Sequence, residues 1–220
     1  MITQKLIELD PTLKIHDEGE WGGTHSEFTA FNDAGLECET GEFMYAMLRL
    51  MKPERVLETG THWGVGASYM GMALKENGKG LLDTIEFLPE NHNKAVERIT
   101  KLGLNDFVAC HFGDVGKFNA EGKYDFILLD TEPQTRFAEL IKFYPHLKHG
   151  GFVFIHDLHR HMNQVENLEH GFAWPYGKIP KQMNDLVTRG FLRQFHFSTP
   201  RGLTGFYKPS SDDYKFFKWD

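Results

Sequence analysis

A chain of 220 residues with 40% apolar and 25% charged side chains has the make-up of an ordinary globular domain with a full core. Its formal net charge of -7 supplies no global basic field for nucleic acid or an anionic membrane, and no run approaches the ~20 apolar residues of a membrane span. The start, MITQKLIELDPTLK, lacks the apolar segment of a signal peptide, and Cys38 and Cys110 read as free thiols in a reducing compartment, so the expectation is a cytoplasmic protein.

Residues 1–40 read as an N-terminal arm or lid, and residues 41–220 as one domain. The arm predicts a short helix over Thr3–Leu9, stopped by Asp10-Pro11. Glu18–Ala30 has no clean period and reads as loop. Gly41–Met51 predicts a helix, with Phe43, Met44, Met47, Leu48 and Met51 near helical spacing and Pro53 after it. Arg55–Glu58 is a short strand running into a glycine-rich turn and a helix from Val65 to Glu76, which Asn77-Gly78 closes. Gly80–Glu86 is a strand, and Pro89–Leu102 a helix with proline in its first turn and Gly103 after its end. Phe107–Phe112 and Tyr124–Asp130 are strands. Thr135–Leu147 reads as a helix with Phe137, Leu140, Ile141 and Tyr144 on one face. Phe152–Ile155 follows as a strand. Ile179–Thr188 reads as a helix, then two strands, Phe191–Phe197 and Leu203–Tyr207, flank a turn-rich hairpin.

Strand and helix thus alternate from Arg55 to Ile155. That order predicts an α/β, Rossmann-like doubly wound fold: a mostly parallel seven-stranded sheet with a C-terminal antiparallel hairpin strand. Ligands of such sheets bind beyond the carboxyl ends of the strands. Polar residues stand at those ends: Glu58 and Gly60, Glu86, Asp114, Asp130, His156 and Asp157. In the turn from Glu58 to Gly66, glycine lets backbone approach a ligand, and the helix start offers N–H groups to an anion. The spacing is not GxGxxG, so the dinucleotide fingerprint is not met. Glu86 suits the two hydroxyls of a ribose, and Asp114 an adenine amino group.

VLETGTHWGVGAS, LLDTIE, FGDV, YDFILLD and HGGFVFIHD, in this order, resemble the motif series of class I S-adenosylmethionine-dependent methyltransferases. Within that superfamily the chain is similar to small-molecule O-methyltransferases of the catechol, caffeoyl-CoA and macrolide-sugar type, and to cephalosporin-biosynthesis and rhamnosyl relatives. The resemblance spans about Leu36 to Tyr207. It implies S-adenosylmethionine as cofactor, held by Glu58, Gly60, Thr61, His62, Gly64, Gly66, Ser68, Glu86, Asp114, Val115 and Asp130. One departure concerns Gly66, where relatives often carry serine; backbone or Thr61 then meets the cofactor's carboxylate. His62 is expected to shape the methionine pocket.

Metal-dependent relatives place an Asp after the fourth strand and an acidic pair after the fifth. The matching positions are Asp130, His156 and Asp157, a set able to hold a divalent metal, Mg²⁺ or, with histidine present, Mn²⁺ or similar. Such an ion would lower the pKa of a substrate hydroxyl. A metal-free site, with Asp130 orienting the cofactor and His156 or Asp157 as base, stands beside it as an equal alternative. Catechol-type relatives carry a lysine three residues after the metal Asp; here that position is Pro133. Histidine replaces it naturally, with His156 first, then His159 and His161, and His25 if the arm folds over. Trp21, Phe28, Phe172, Trp174 and Tyr176 could close over an acceptor or simply pack.

The expected function is therefore O-methylation of a small hydroxylated molecule, a sugar or natural-product intermediate. N-methylation, and an NAD- or nucleotide-sugar-linked oxidoreductase on a similar sheet, are the alternatives. The expected partner is a small-molecule acceptor, not nucleic acid or membrane; a homo-oligomer is left open.

Overall fold

A computed structural model describes residues 1–17, 28–31, 35–132, 134–158, 181–197 and 201–210. The seven strands of its mostly parallel sheet divide between two compact units, residues 1–118 and 119–220. The expected α/β class holds.

The first unit opens with α1 (Ile2–Leu9) and a two-stranded antiparallel ribbon of β1 (Ile15–Asp17) and β2 (Thr29–Phe31). β2 lies in what the aperiodic sequence suggested was loop. Three residues are too short to show a period of two, and their pairing comes from β1. Helix α2 spans Cys38–Met51, three residues longer at its start than the apolar spacing indicates, because Gly41 N–H bonds to the Glu37 carbonyl. It ends on Lys52 in the left-handed region, just before Pro53.

Strands β3 (Arg55–Thr59), β4 (Leu81–Glu86) and β5 (Val108–Phe112) then form a parallel set in the order β5-β4-β3. Helices α3 (Val65–Asn77) and α4 (Pro89–Lys101) make the two crossovers. Every residue of α3 from Val65 to Leu74 is buried, so this helix is core rather than amphipathic surface. Its partner α2 comes close because the Tyr69 ring takes the room a side chain at Gly41 would fill. Val56, Leu57, Leu82, Met70, Ala73 and Leu74 make the fully buried centre. The arm is tied to it: Thr3 Oγ1 lies 2.8 Å from Tyr69 Oη and donates to Glu42 at 2.7 Å. Phe28 is buried as well, so in the described structure it packs.

The second unit holds β6 (Tyr124–Leu129), α5 (Arg136–Phe143), β7 (Leu147–His156), α6 (Lys181–Thr188), β8 (Arg193–Phe197) and β9 (Leu203–Tyr207). β6 and β7 are parallel; β9 runs antiparallel to β7, and β8 antiparallel to β9. The predicted helix to Leu147 stops four residues early. Pro145 lacks the N–H that another helical turn needs, so the chain makes a tight turn over Tyr144–His146 and enters β7 at Leu147. The buried face of α5 carries Phe137, Leu140 and Phe143 rather than Ile141, which is exposed. Phe126, Phe154 and Phe206 are fully buried, and Phe195 stands edge-on to Phe154 with centroids 5.8 Å apart.

No described helix is long and apolar enough to cross a membrane. Both cysteines are free, and burial, with the Glu58 charge nearby, pushes the Cys110 thiol up to about 11.

Candidate functional site

The chain leaves β3 at Thr59 and reaches α3 at Val65 through a turn with three left-handed residues, Gly60 (φ 81°), His62 (φ 49°) and Gly64 (φ 81°). Glycine removes the Cβ penalty at two of them. At Gly64 a Cβ would also approach Cα of Ala95 on α4 to 3.2 Å. His62 accepts the strained region without that relief, a feature that concentrates at functional sites. Its imidazole lies parallel to the Trp63 ring, with centroids 5.2 Å apart.

Helix α4 grips this turn. Asn91 accepts from Trp63 Nε1 at 2.8 Å, Lys94 Nζ sits 3.6 Å over the Trp63 ring, and Arg98 donates to the Trp63 carbonyl at 2.7 Å. Arg98 also faces Asp10 at 3.6 Å, and Lys101 bonds the same carboxylate. The end of α1 is thereby linked to the turn. Burial alone would raise the Asp10 carboxyl; the hydrogen bonds from Lys101 and Thr12 outweigh it and hold it below its ordinary value.

Beneath the turn runs a chain of hydroxyls. Thr84 donates to Glu58 Oε2 at 2.6 Å, so its proton is committed there and Thr61 is the donor in the 2.5 Å Thr61–Thr84 contact. Both Thr61 and Glu58 are buried. The Glu58 carboxylate fills the room a side chain at position 66 would need. That is the local reason for glycine where relatives often carry serine. Ser68 is buried and donates to the Gly64 carbonyl at 2.6 Å, so its hydroxyl secures the turn.

Glu86, at the end of β4, is 6% exposed. His62 N–H donates to its Oε2 at 2.8 Å, and Phe87 and Leu88 N–H donate to Oε1 at 3.0 and 2.9 Å. A carboxylate has about four acceptor sites; backbone N–H groups take three, which leaves Oε2 the capacity to accept once more. Asp114 follows β5 and caps the turn Val115–Lys117, accepting from Gly116 N–H at 2.7 Å. Val115 is buried.

Two apolar residues that sequence reasoning missed flank these acids. Phe87, directly after Glu86, is 60% exposed, and Phe112, paired with Glu86 across the sheet, is 59% exposed. The Phe112 ring stands edge-on to His92, with centroids 5.5 Å apart. Sequence shows an aromatic just after β4 and at the last position of β5, but not that it points outward.

In the second unit, the ends of β6 and β7 bring Asp130, His156 and Asp157 together, with one candidate ligand atom from each within 4.8 Å of the others. His156, fully buried, donates Nδ1–H to Asp130 Oδ1 at 2.8 Å. Asp157 has φ 54°. Two arginines, neither anticipated, complete the cluster. Arg136, buried at the first position of α5, lies 3.2 Å from Asp130 Oδ1 and donates to Asp157 Oδ2 at 3.1 Å and 3.2 Å. It also bonds the carbonyls of Thr131, at 2.7 Å, and His156. Arg201 adds contacts of 2.8 and 3.1 Å to Asp157. Burial would push the Asp157 carboxyl up, but His156 when protonated, together with the charges of Arg201 and Arg136, wins and holds it well below the usual carboxylate range. Asp157 is thus a poor proton acceptor.

The donor set suits a divalent ion by residue type; the charge does not. Two carboxylates already face two guanidiniums, and an incoming ion would have to displace Arg136, whose side chain is 4% exposed. As arranged, the cluster does not fit a divalent metal. Pro133, His25, His159, His161, His170, Trp21, Phe172, Trp174 and Tyr176 lie outside the described residues.

Residues 57–158 match the family model described as a methyltransferase domain. A Protein-L-isoaspartate O-methyltransferase from Fervidobacterium nodosum is 34% identical over 123 residues, 55% of each chain. The chain spans about half the length of the curated relatives it matches. Among solved structures, the O-methyltransferase TomG from Streptomyces achromogenes, involved in tomaymycin synthesis and crystallised with S-adenosylmethionine, aligns with TM-score 0.66 at 18% identity, over 81% of this chain and 83% of its own. A Bacillus cereus O-methyltransferase in complex with S-adenosylhomocysteine aligns with TM-score 0.64 at 16% identity, over 79% and 83%. At these identities the structures establish the fold. Residues 57–158 are thus similar to the methyltransferase domain family, on a fold shared with these two proteins.

Proposed function

We propose that the protein transfers a methyl group from S-adenosylmethionine to a hydroxyl of a small molecule, in the class of sugars or natural-product intermediates. The observation that carries this reading is Glu86: a buried carboxylate at a strand's end, held by three backbone N–H groups, with an acceptor site left on Oε2. That is the chemistry a ribose needs. The left-handed turn at Gly60, His62 and Gly64 supports the same reading, as do the first-turn N–H groups of α3, which favour a carboxylate. Exposed Phe87 and Phe112 offer apolar faces for adenine, and Asp114 an acceptor for its amino group. The two cofactor-bound fold relatives, both O-methyltransferases, lend the acceptor class.

The sulfonium supplies an electrophilic methyl carbon: its bond to sulfur breaks, the electron pair staying on sulfur, as the acceptor oxygen bonds to carbon. The chain's own residues supply proton removal and alignment. His156, with Nδ1–H directed at Asp130, is the imidazole we assign to take the hydroxyl proton. Asp130 fixes this tautomer and ring plane. Asp157, kept ionised by two arginines, positions them instead of accepting a proton. Alignment supplies much of the remaining rate.

The test is incubation with donor labelled in the methyl group and a panel of hydroxylated small molecules, with products resolved by mass spectrometry. Label on an acceptor oxygen supports the reading. Label on nitrogen, or transfer only to protein, overturns the O-methyl assignment.

A further inference from the structure

We propose that Arg136 is a built-in cation that makes this site metal-independent, and that the Asp130–His156–Asp157 cluster is a latent metal site opened only when Arg136 is removed. One side chain reaches all three residues. Its guanidinium lies 3.2 Å from Asp130 Oδ1, donates to Asp157 Oδ2 at 3.1 and 3.2 Å, and bonds the His156 carbonyl. Its Nε, donating to Thr131 O at 2.7 Å, anchors it from the other side. Leaving would break all of these contacts and leave the half-buried Asp130 carboxylate without its guanidinium, a costly loss of a charge partner.

Arg201 reinforces the arrangement without substituting for it. It holds Asp157 at 2.8 and 3.1 Å. Arg136 bridges the two carboxylates, as a divalent ion would. A planar guanidinium fixes two carboxylate directions at once, which an ammonium does not. The role is therefore positioning: Arg136 holds Asp130 in place against His156 Nδ1, so that proton removal needs no Lewis acid. The consequence for rate rests on the methyl-transfer reading; the consequence for metal binding does not.

The experiment is a Mn²⁺ titration of the full chain, reading the paramagnetic resonance signal of free Mn²⁺, on wild type, Arg136→Ala and Arg136→Ala/Asp157→Asn, with circular dichroism to verify folding. The expected result is no uptake by wild type, uptake of one equivalent per chain by Arg136→Ala, and its loss in the double variant. Uptake of one equivalent by wild type overturns the proposal, and so does a folded Arg136→Ala that takes up none. If Arg136→Ala does not fold, Arg136→Met retains the volume and replaces it, while the wild-type titration still decides the metal-free claim. Calorimetry with S-adenosylhomocysteine on the same wild-type sample separates the two readings. Absence of cofactor binding contradicts the proposed reaction, whereas wild-type Mn²⁺ uptake contradicts this inference alone.

Discussion

The Glu58 carboxylate occupies the space that a side chain at Gly66 would fill, closer than a real Cβ ever approaches. Glu58 is 2% exposed and anchored by Thr84 at 2.6 Å, so it cannot simply swing into water. Gly66→Ser is expected to force it off Thr84 and to destabilise the fold by about 1–3 kcal/mol, the usual cost of overpacking. Urea unfolding measures this. A midpoint equal to wild type would show that the turn has slack the geometry does not reveal.

Glu86 carries the ribose in this account. Hydrogen bonds to a charged group contribute about 1.5–3 kcal/mol, so Glu86→Gln is expected to weaken S-adenosylhomocysteine binding about tenfold to a hundredfold. Glutamine retains the shape and can accept from fewer of the His62, Phe87 and Leu88 N–H groups. Calorimetry on a folded variant with unchanged affinity would remove Glu86 from the cofactor site.

His156 is the proposed base, so its loss should alter the pH profile as well as the rate. His156→Asn is expected to lower kcat/KM by about 10²–10⁴-fold, the usual worth of general acid–base catalysis. It should also abolish the rise of kcat/KM through the neutral region where imidazoles titrate. Among the described residues, Asp130, Asp157 and Arg136 contact His156. A variant with reduced rate but the wild-type profile would make His156 structural.

Asp10 tests the tie between the arm and the cofactor turn. Its folded pKa is lowered, so its contribution to stability is fully present above the unfolded value of about 3.9 and is lost as pH falls through the lowered folded value. Asp10→Asn should therefore cost about 1–2 kcal/mol at pH 7, a hydrogen-bonded ion pair's worth. The gap from wild type should shrink below about pH 4. Urea unfolding at several pH values reads both.

Most of the first unit was legible in the sequence. The run from Arg55 to Phe112 alternates short apolar strands with helices bounded by Gly78, Pro89 and Gly103, and each signal acts locally. Glu58, Glu86 and Asp114 were legible because they end those strands. The second unit was harder to read. Arg136 sits six residues after Asp130, inside a helix whose apolar face dominates its pattern, and Arg201 lies in a turn whose residue types signal only a turn. The pairing of Arg201 with Asp157 depends on β7 meeting β9 in register, His156 opposite Leu203, a long-range fact with no local trace. The exposure of Phe87 and Phe112 is hidden for the same reason: residue type says nothing of which strand face a ring leaves by.

The central claim is that the turn at Gly60–Gly66 and the Glu86 carboxylate form an S-adenosylmethionine site. Calorimetric titration of the folded protein with S-adenosylhomocysteine tests it most directly. The account predicts saturable binding of one molecule per chain in the micromolar range. No heat of binding up to high micromolar ligand, with the fold verified in the same sample, would contradict it.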